Sequence, residues 1–116
     1  MTGAGDPALA SRAGTGDNGA VPKLTDDQVT AALADLAGWE REGDMIVKTF
    51  ELASFPAAIQ FVVALADRAE AANHHPDIDI RWRRVRIALT THDDGGLSEK
   101  DVALAGEIEG LSGAYS

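Results

Sequence analysis

The chain has 116 residues, 45% of them hydrophobic and 25% charged, with a formal net charge of −9 at pH 7. That length supports one hydrophobic core and leaves little room for a second. Cysteine is absent, which excludes disulfides, thiolate nucleophiles and zinc–thiolate sites, and the acidic balance argues against nucleic acid or anionic lipid as a general partner. No apolar run approaches the roughly 20 residues that span a bilayer. The first residues lack the charged start and apolar core of a secretory signal, so the expectation is a soluble cytoplasmic protein without a membrane partner.

Residues 1–22 are expected to form a disordered tail. They are rich in Gly, Ala, Ser, Thr and Asp and carry no periodic apolar stripe that would offset the entropy of ordering. Gly14-Thr15-Gly16 follows no strand and precedes no helix, so it does not read as a phosphate loop. Residues 23–116 are expected to form a single domain. Thr25-Asp26-Asp27-Gln28 has capping-box spacing, Val29, Ala32, Leu33 and Leu36 fall on one helical face behind it, and Gly38 marks a stop. Trp39 to Glu42 and Met45 to Leu52 read as strands joined by a Gly43-Asp44 turn.

Ser54 is a cap for a long helix with Pro56 in its first turn, and Phe55, Ile59, Val62, Ala66 and Ala69 recur at three- and four-residue steps as its expected apolar face. Pro76 sets the far limit. Ile78 to Trp82 and Val85 to His92 read as a second hairpin turning at Arg83-Arg84, with Val85, Ile87 and Leu89 alternating against Arg86, Ala88 and Thr90. After a Gly95-Gly96 loop, Ser98 caps a last helix, supported by Asp101 and ended by Gly110. The order α-β-β-α-β-β-α predicts an α+β fold, a four-stranded antiparallel sheet with helices on one face.

All three histidines lie between His74 and His92. A turn at Arg83-Arg84 pairs Trp82 with Val85, and the same register continued puts His75 opposite His92, with Cβ atoms roughly 5 Å apart. Clustered imidazoles suit general acid–base chemistry, because each titrates near neutrality and neighbours resist holding protons together. A three-histidine metal site, with Asp77, Asp79, Asp93 and Asp94 nearby, is the sharper competitor. It is disfavoured because adjacent His74 and His75 point to different sides of an extended chain. Glu70, four residues before His74, is either a solvated helix carboxylate or a group that orients that ring or contacts a ligand. Asp101 reads first as a capping carboxylate. The arginines from Arg81 to Arg86 read as a solvated turn or ion-paired surface rather than a nucleic-acid patch, and Trp39 and Trp82 as core or interface residues before stacking platforms.

Glu70, three intervening residues and His74-His75-Pro76, then Trp82, the Val85, Ile87, Leu89 alternation, Thr91-His92, Gly96-Leu97-Ser98 and Asp101 together resemble the signature of the pterin-4a-carbinolamine dehydratases. The resemblance extends upstream through Gly38-Trp39 and the segment from Phe50 to Phe55, and covers the chain from about Leu24 to Gly110. It implies the same fold, with three helices on one face of the sheet. It also implies the dehydration of 4a-hydroxytetrahydropterin to quinonoid dihydropterin after aromatic amino-acid hydroxylation, with no cofactor and no metal. By position, His74 and His92 would be the acids for the departing hydroxyl, and His75 would hold the pterin and assist as a base. Glu70, Asn73, Thr90 and Thr91 match pocket-lining positions, and Pro76 and Asp101 supporting ones. A homodimer or homotetramer is implied too. The alternative is a non-catalytic pterin-binding or protein-interaction module on the same fold. Asn73 stands where many relatives have Asp, and Ile78 where an aromatic is frequent.

Overall fold

The computed structural model describes residues 23–91 and 95–116, so the expected tail at 1–22 and His92 lie outside the described residues. The first helix, α1 (Asp26–Ala34), starts at the capping box read from sequence: the Gln28 N–H donates to Thr25 Oγ1 at 3.2 Å and the Thr25 N–H to Gln28 Oε1 at 2.8 Å. It ends earlier than the apolar periodicity suggests. Leu36 and Trp39 still reach the core from the following turns, and Gly38, at φ 85°, supplies the reversal that a Cβ would obstruct against Lys48.

Strands β1 (Glu40–Glu42) and β2 (Met45–Glu51) form the first hairpin, and β3 (Asp77–Arg81) and β4 (Arg84–Leu89) the second. All neighbours are antiparallel and the order is β1-β2-β4-β3, so the two hairpins join through β2 and β4. Ile46 and Phe50 on β2 and Val85, Ile87 and Leu89 on β4 turn toward the core, as alternation requires. The three helices cover that one face.

The second hairpin turns one residue earlier than expected. Trp82 and Arg83 form the loop, and Arg81 pairs with Arg84. Trp82 has φ 57°, at a first loop position where glycine is the usual occupant, so side-chain identity gave no warning of it. The expected pairing of Trp82 with Val85 therefore fails, and the register that set His75 opposite His92 fails with it. Named pairing stops at Asp77 opposite Ala88.

The long helix α2 (Phe55–Ala72) begins at Ser54, whose Oγ accepts from the Ala57 N–H at 3.2 Å. Its buried stripe is Ala58, Phe61, Leu65 and Ala69, whereas Phe55 and Ile59 are exposed. Two interleaved apolar stripes exist on this helix, and the one with Ala58 and Phe61 faces the sheet. Of the expected face, Ala69 is buried and Val62 packs at the core margin. Phe61 lies 5.1 Å from Phe50, centroid to centroid, and 6.1 Å from Tyr115, which ties α2 to both the sheet and the C-terminus. The last helix, α3 (Glu99–Ser112), runs through Gly110 rather than ending there, and buries Asp101, Leu104, Ala105 and Ile108. Helical packing outweighs the modest cost of a glycine in the last turns.

Candidate active site

Two elements converge at one end of the sheet: the end of α2 and the start of α3. Helix α2 stops at Asn73, which adopts the left-handed conformation at φ 52°, ψ 43°. His74 follows, is buried with 8% exposure, and places Nε2 2.6 Å from Asp101 Oδ1. Asp101 is the third residue of α3 and fully buried. Its second oxygen, Oδ2, accepts from the Thr91 hydroxyl at 2.7 Å and from the Ser98 N–H at 2.9 Å. The hydroxyls of Thr91 and Ser98 are 2.8 Å apart; since that of Thr91 donates to Asp101, that of Ser98 donates to Thr91.

The carboxylate read as a cap is thus also the partner of a histidine. With Asp101 ionised, Nε2 of His74 carries the proton of this contact, and Nδ1 is the nitrogen left to take or give one elsewhere. A buried carboxylate that accepts three hydrogen bonds is a rigid anchor for an imidazole. Among the described residues, no three His, Cys, Asp or Glu side chains gather as a metal-binding group.

His75 goes elsewhere. Its Nε2 lies 2.9 Å from Glu70 Oε1, and both side chains are largely in solvent, at 60% and 82% exposure. Glu70 therefore meets His75 and not His74, the ring that helical spacing suggested, because the reversal at Asn73 swings His74 inward. Thr90 is half-buried and donates to the Asp44 carbonyl at 2.6 Å, fastening β4 to the β1–β2 turn. Asn73 is exposed, and Pro76 is half-buried just before β3. Of the expected site residues, His74, Thr91 and Asp101 come together, Glu70 and His75 form a separate exposed pair, and Thr90 serves the turn.

His92 follows Thr91 directly. The Thr91 N–H donates to the Gly96 carbonyl at 3.1 Å and the Gly96 N–H to the Thr91 carbonyl at 3.3 Å, so the chain on either side of residues 92–94 is tied together. Ser98 is the residue that sequence reasoning assigned only to capping. Its fixed place three residues before Asp101 was visible, but the burial that makes both groups part of the site was not.

The family model described as pterin 4 alpha carbinolamine dehydratase matches residues 22–111. The chain belongs to that family. A relative from Roseiflexus sp. (strain RS-1), provisionally named pterin-4-alpha-carbinolamine dehydratase, is 59% identical over 87 residues, covering 75% of this chain and 94% of its own. The crystal structure of a transcriptional coactivator/pterin dehydratase from Brucella melitensis superposes with a TM-score of 0.75 at 29% identity, over 78% of this chain and 98% of that one. A pterin dehydratase-like protein described as a RuBisCO assembly factor in the alpha-carboxysome gives 0.54 at 28% identity, over 65% and 87%. Family and fold together support pterin dehydratase activity and a pterin substrate.

Proposed function

We propose that the chain dehydrates 4a-hydroxytetrahydropterin to quinonoid dihydropterin, with His74 as a proton donor whose ring is held by Asp101. The observation that carries this reading is the buried contact between His74 Nε2 and Asp101 Oδ1. Hydroxide leaves slowly unless an acid delivers a proton as the C–O bond breaks, so the 4a-hydroxyl departs as water once an imidazolium has protonated it. A base then accepts a ring proton as the double bond of the quinonoid product forms. On this reading His74 presents Nδ1 to the substrate, His92 acts as the second acid, and His75, paired with Glu70, holds the pterin at the exposed side of the site. Thr91 and Ser98 keep the Asp101 carboxylate in place.

The reaction would recycle the pterin after aromatic amino-acid hydroxylation. The direct test is decay of 4a-hydroxytetrahydropterin absorbance with and without the protein. A rate above the spontaneous one supports the reading; an unchanged rate overturns it.

The likeness to a RuBisCO assembly factor favours a second reading, a protein-interaction module on the same fold without useful turnover. A stable partner complex with no rate enhancement supports it. Self-association into a dimer or tetramer belongs to both readings. It is supported by β3, an edge strand exposed at all five residues, with Ile78 and Ile80 each 37% exposed. Such an edge offers unpaired backbone groups to a second copy. Light scattering after size exclusion tests this: an assembly that Ile80→Lys dissolves supports it, and a wild-type monomer overturns it.

A further inference from the structure

Asn73 is one of two non-glycine residues with positive φ among the described residues, and it sits immediately before the buried histidine. Left-handed backbone is costly for most L-residues and concentrates at functional sites. Its hydrogen bonds have a definite pattern. The Asn73 N–H donates to the Glu70 carbonyl at 3.1 Å and the His74 N–H to the Ala69 carbonyl at 3.0 Å. These are the two bonds of a Schellman cap, in which a left-handed residue closes the helix and the next residue folds back over its last turn. The residue folded back is normally apolar. Here it is His74, which lies beside buried Ala69 and reaches Asp101.

The cap also separates two neighbouring imidazoles. His74 is folded inward, and His75, one residue on, remains outside with Glu70. Meanwhile the Asn73 side chain is exposed and makes no hydrogen bond among the described residues. What Asn73 contributes to the His74–Asp101 contact passes through its backbone.

The geometry points to Asn73 as a positioning residue: its left-handed backbone delivers His74 to Asp101. The catalytic part of the test rests on the dehydratase reading; the structural part does not.

Asn73→Gly keeps the left-handed conformation and removes the carboxamide, whereas Asn73→Val keeps a side chain and opposes the conformation. Asn73→Ala opposes it more mildly, should the valine variant fail to fold. Two quantities are measured on the full chain: the NMR signal of the His74 Nε2 proton, and kcat and KM separately for 4a-hydroxytetrahydropterin. The glycine variant is expected to keep the His74 signal, while valine or alanine lowers kcat by about tenfold or more and loses or broadens the signal. A glycine variant that loses the His74 signal overturns the proposal, since a left-handed backbone at this position would then not suffice to deliver the ring. An unaltered His74 signal in the valine or alanine variant overturns it as well. If the wild type shows no turnover, the NMR comparison alone decides the positioning role.

Discussion

The Nε2 atom of His74 lies 2.6 Å from Oδ1 of Asp101, across 27 positions of sequence, and neither residue is open to solvent. One comes from the reversal after α2 and the other from the first turn of α3. Their contact fastens the two helix termini together and gives one imidazole a fixed orientation. A capping carboxylate is ordinarily a local device worth about 1 kcal/mol. Here the same group has been enlisted by the site.

Removing it should therefore cost more than a cap. Asp101→Ala leaves the His74 ring, the Thr91 hydroxyl and the Ser98 N–H without their acceptor. The expected loss is about 3 kcal/mol or more in urea denaturation, at about 1–3 kcal/mol for each buried group left unpaired. Thr91→Val preserves shape and removes one hydroxyl, so its expected cost is nearer 1–2 kcal/mol. Equal and negligible losses for both would show that the cluster is not holding this end of the domain.

The two tryptophans should behave oppositely. Trp39 is 4% exposed, packs edge-on to Phe50 at 6.0 Å, and donates from Nε1 to Glu109 at 3.0 Å. Trp39→Ala is expected to cost about 3–5 kcal/mol. Trp82 is 69% exposed at φ 57°, with the Arg83 guanidinium 4.9 Å from its ring centroid. Trp82→Gly relieves the backbone while losing that contact, so its net effect should stay within about 1 kcal/mol. Thermal denaturation of the pair measures the contrast.

The difference between those two residues also shows what the sequence could and could not convey. The caps at Thr25, Ser54 and Ser98 were legible because capping is decided within four residues. So was the fold class, since alternation in β4 and the long apolar period of α2 survive without knowledge of neighbours. The face of α2 was not, because both of its stripes are apolar and only the sheet chooses between them. The hairpin register was missed for one reason, a tryptophan in a glycine-like conformation. As for the site, histidine clustering was plain, but the proposed geometry linked His75 with His92, while the described contact links His74 with Asp101. Glu70 was matched to the wrong ring because helical spacing holds only until Asn73 breaks the helix.

The Glu70–His75 pair gives a separate test of what belongs to stability and what to ligand binding. Both side chains are well exposed, so Glu70→Gln should change stability by about 0–1 kcal/mol. On the proposed reading it raises the KM for the pterin, because His75 loses the partner that orients it. A large loss of stability with an unaltered KM would assign the pair to the fold instead.

The most direct measurement follows the 4a-hydroxytetrahydropterin absorbance by stopped flow with the wild type, with His74→Ala, and with His74 and His92 both replaced by Ala. The proposed mechanism predicts acceleration above the spontaneous rate by the wild type. It predicts a fall of about 10²-fold or more in kcat for the single variant, the usual worth of a positioned acid, and no acceleration by the double variant. A wild type that leaves the spontaneous rate unchanged, or a His74→Ala protein as fast as the wild type, would contradict it.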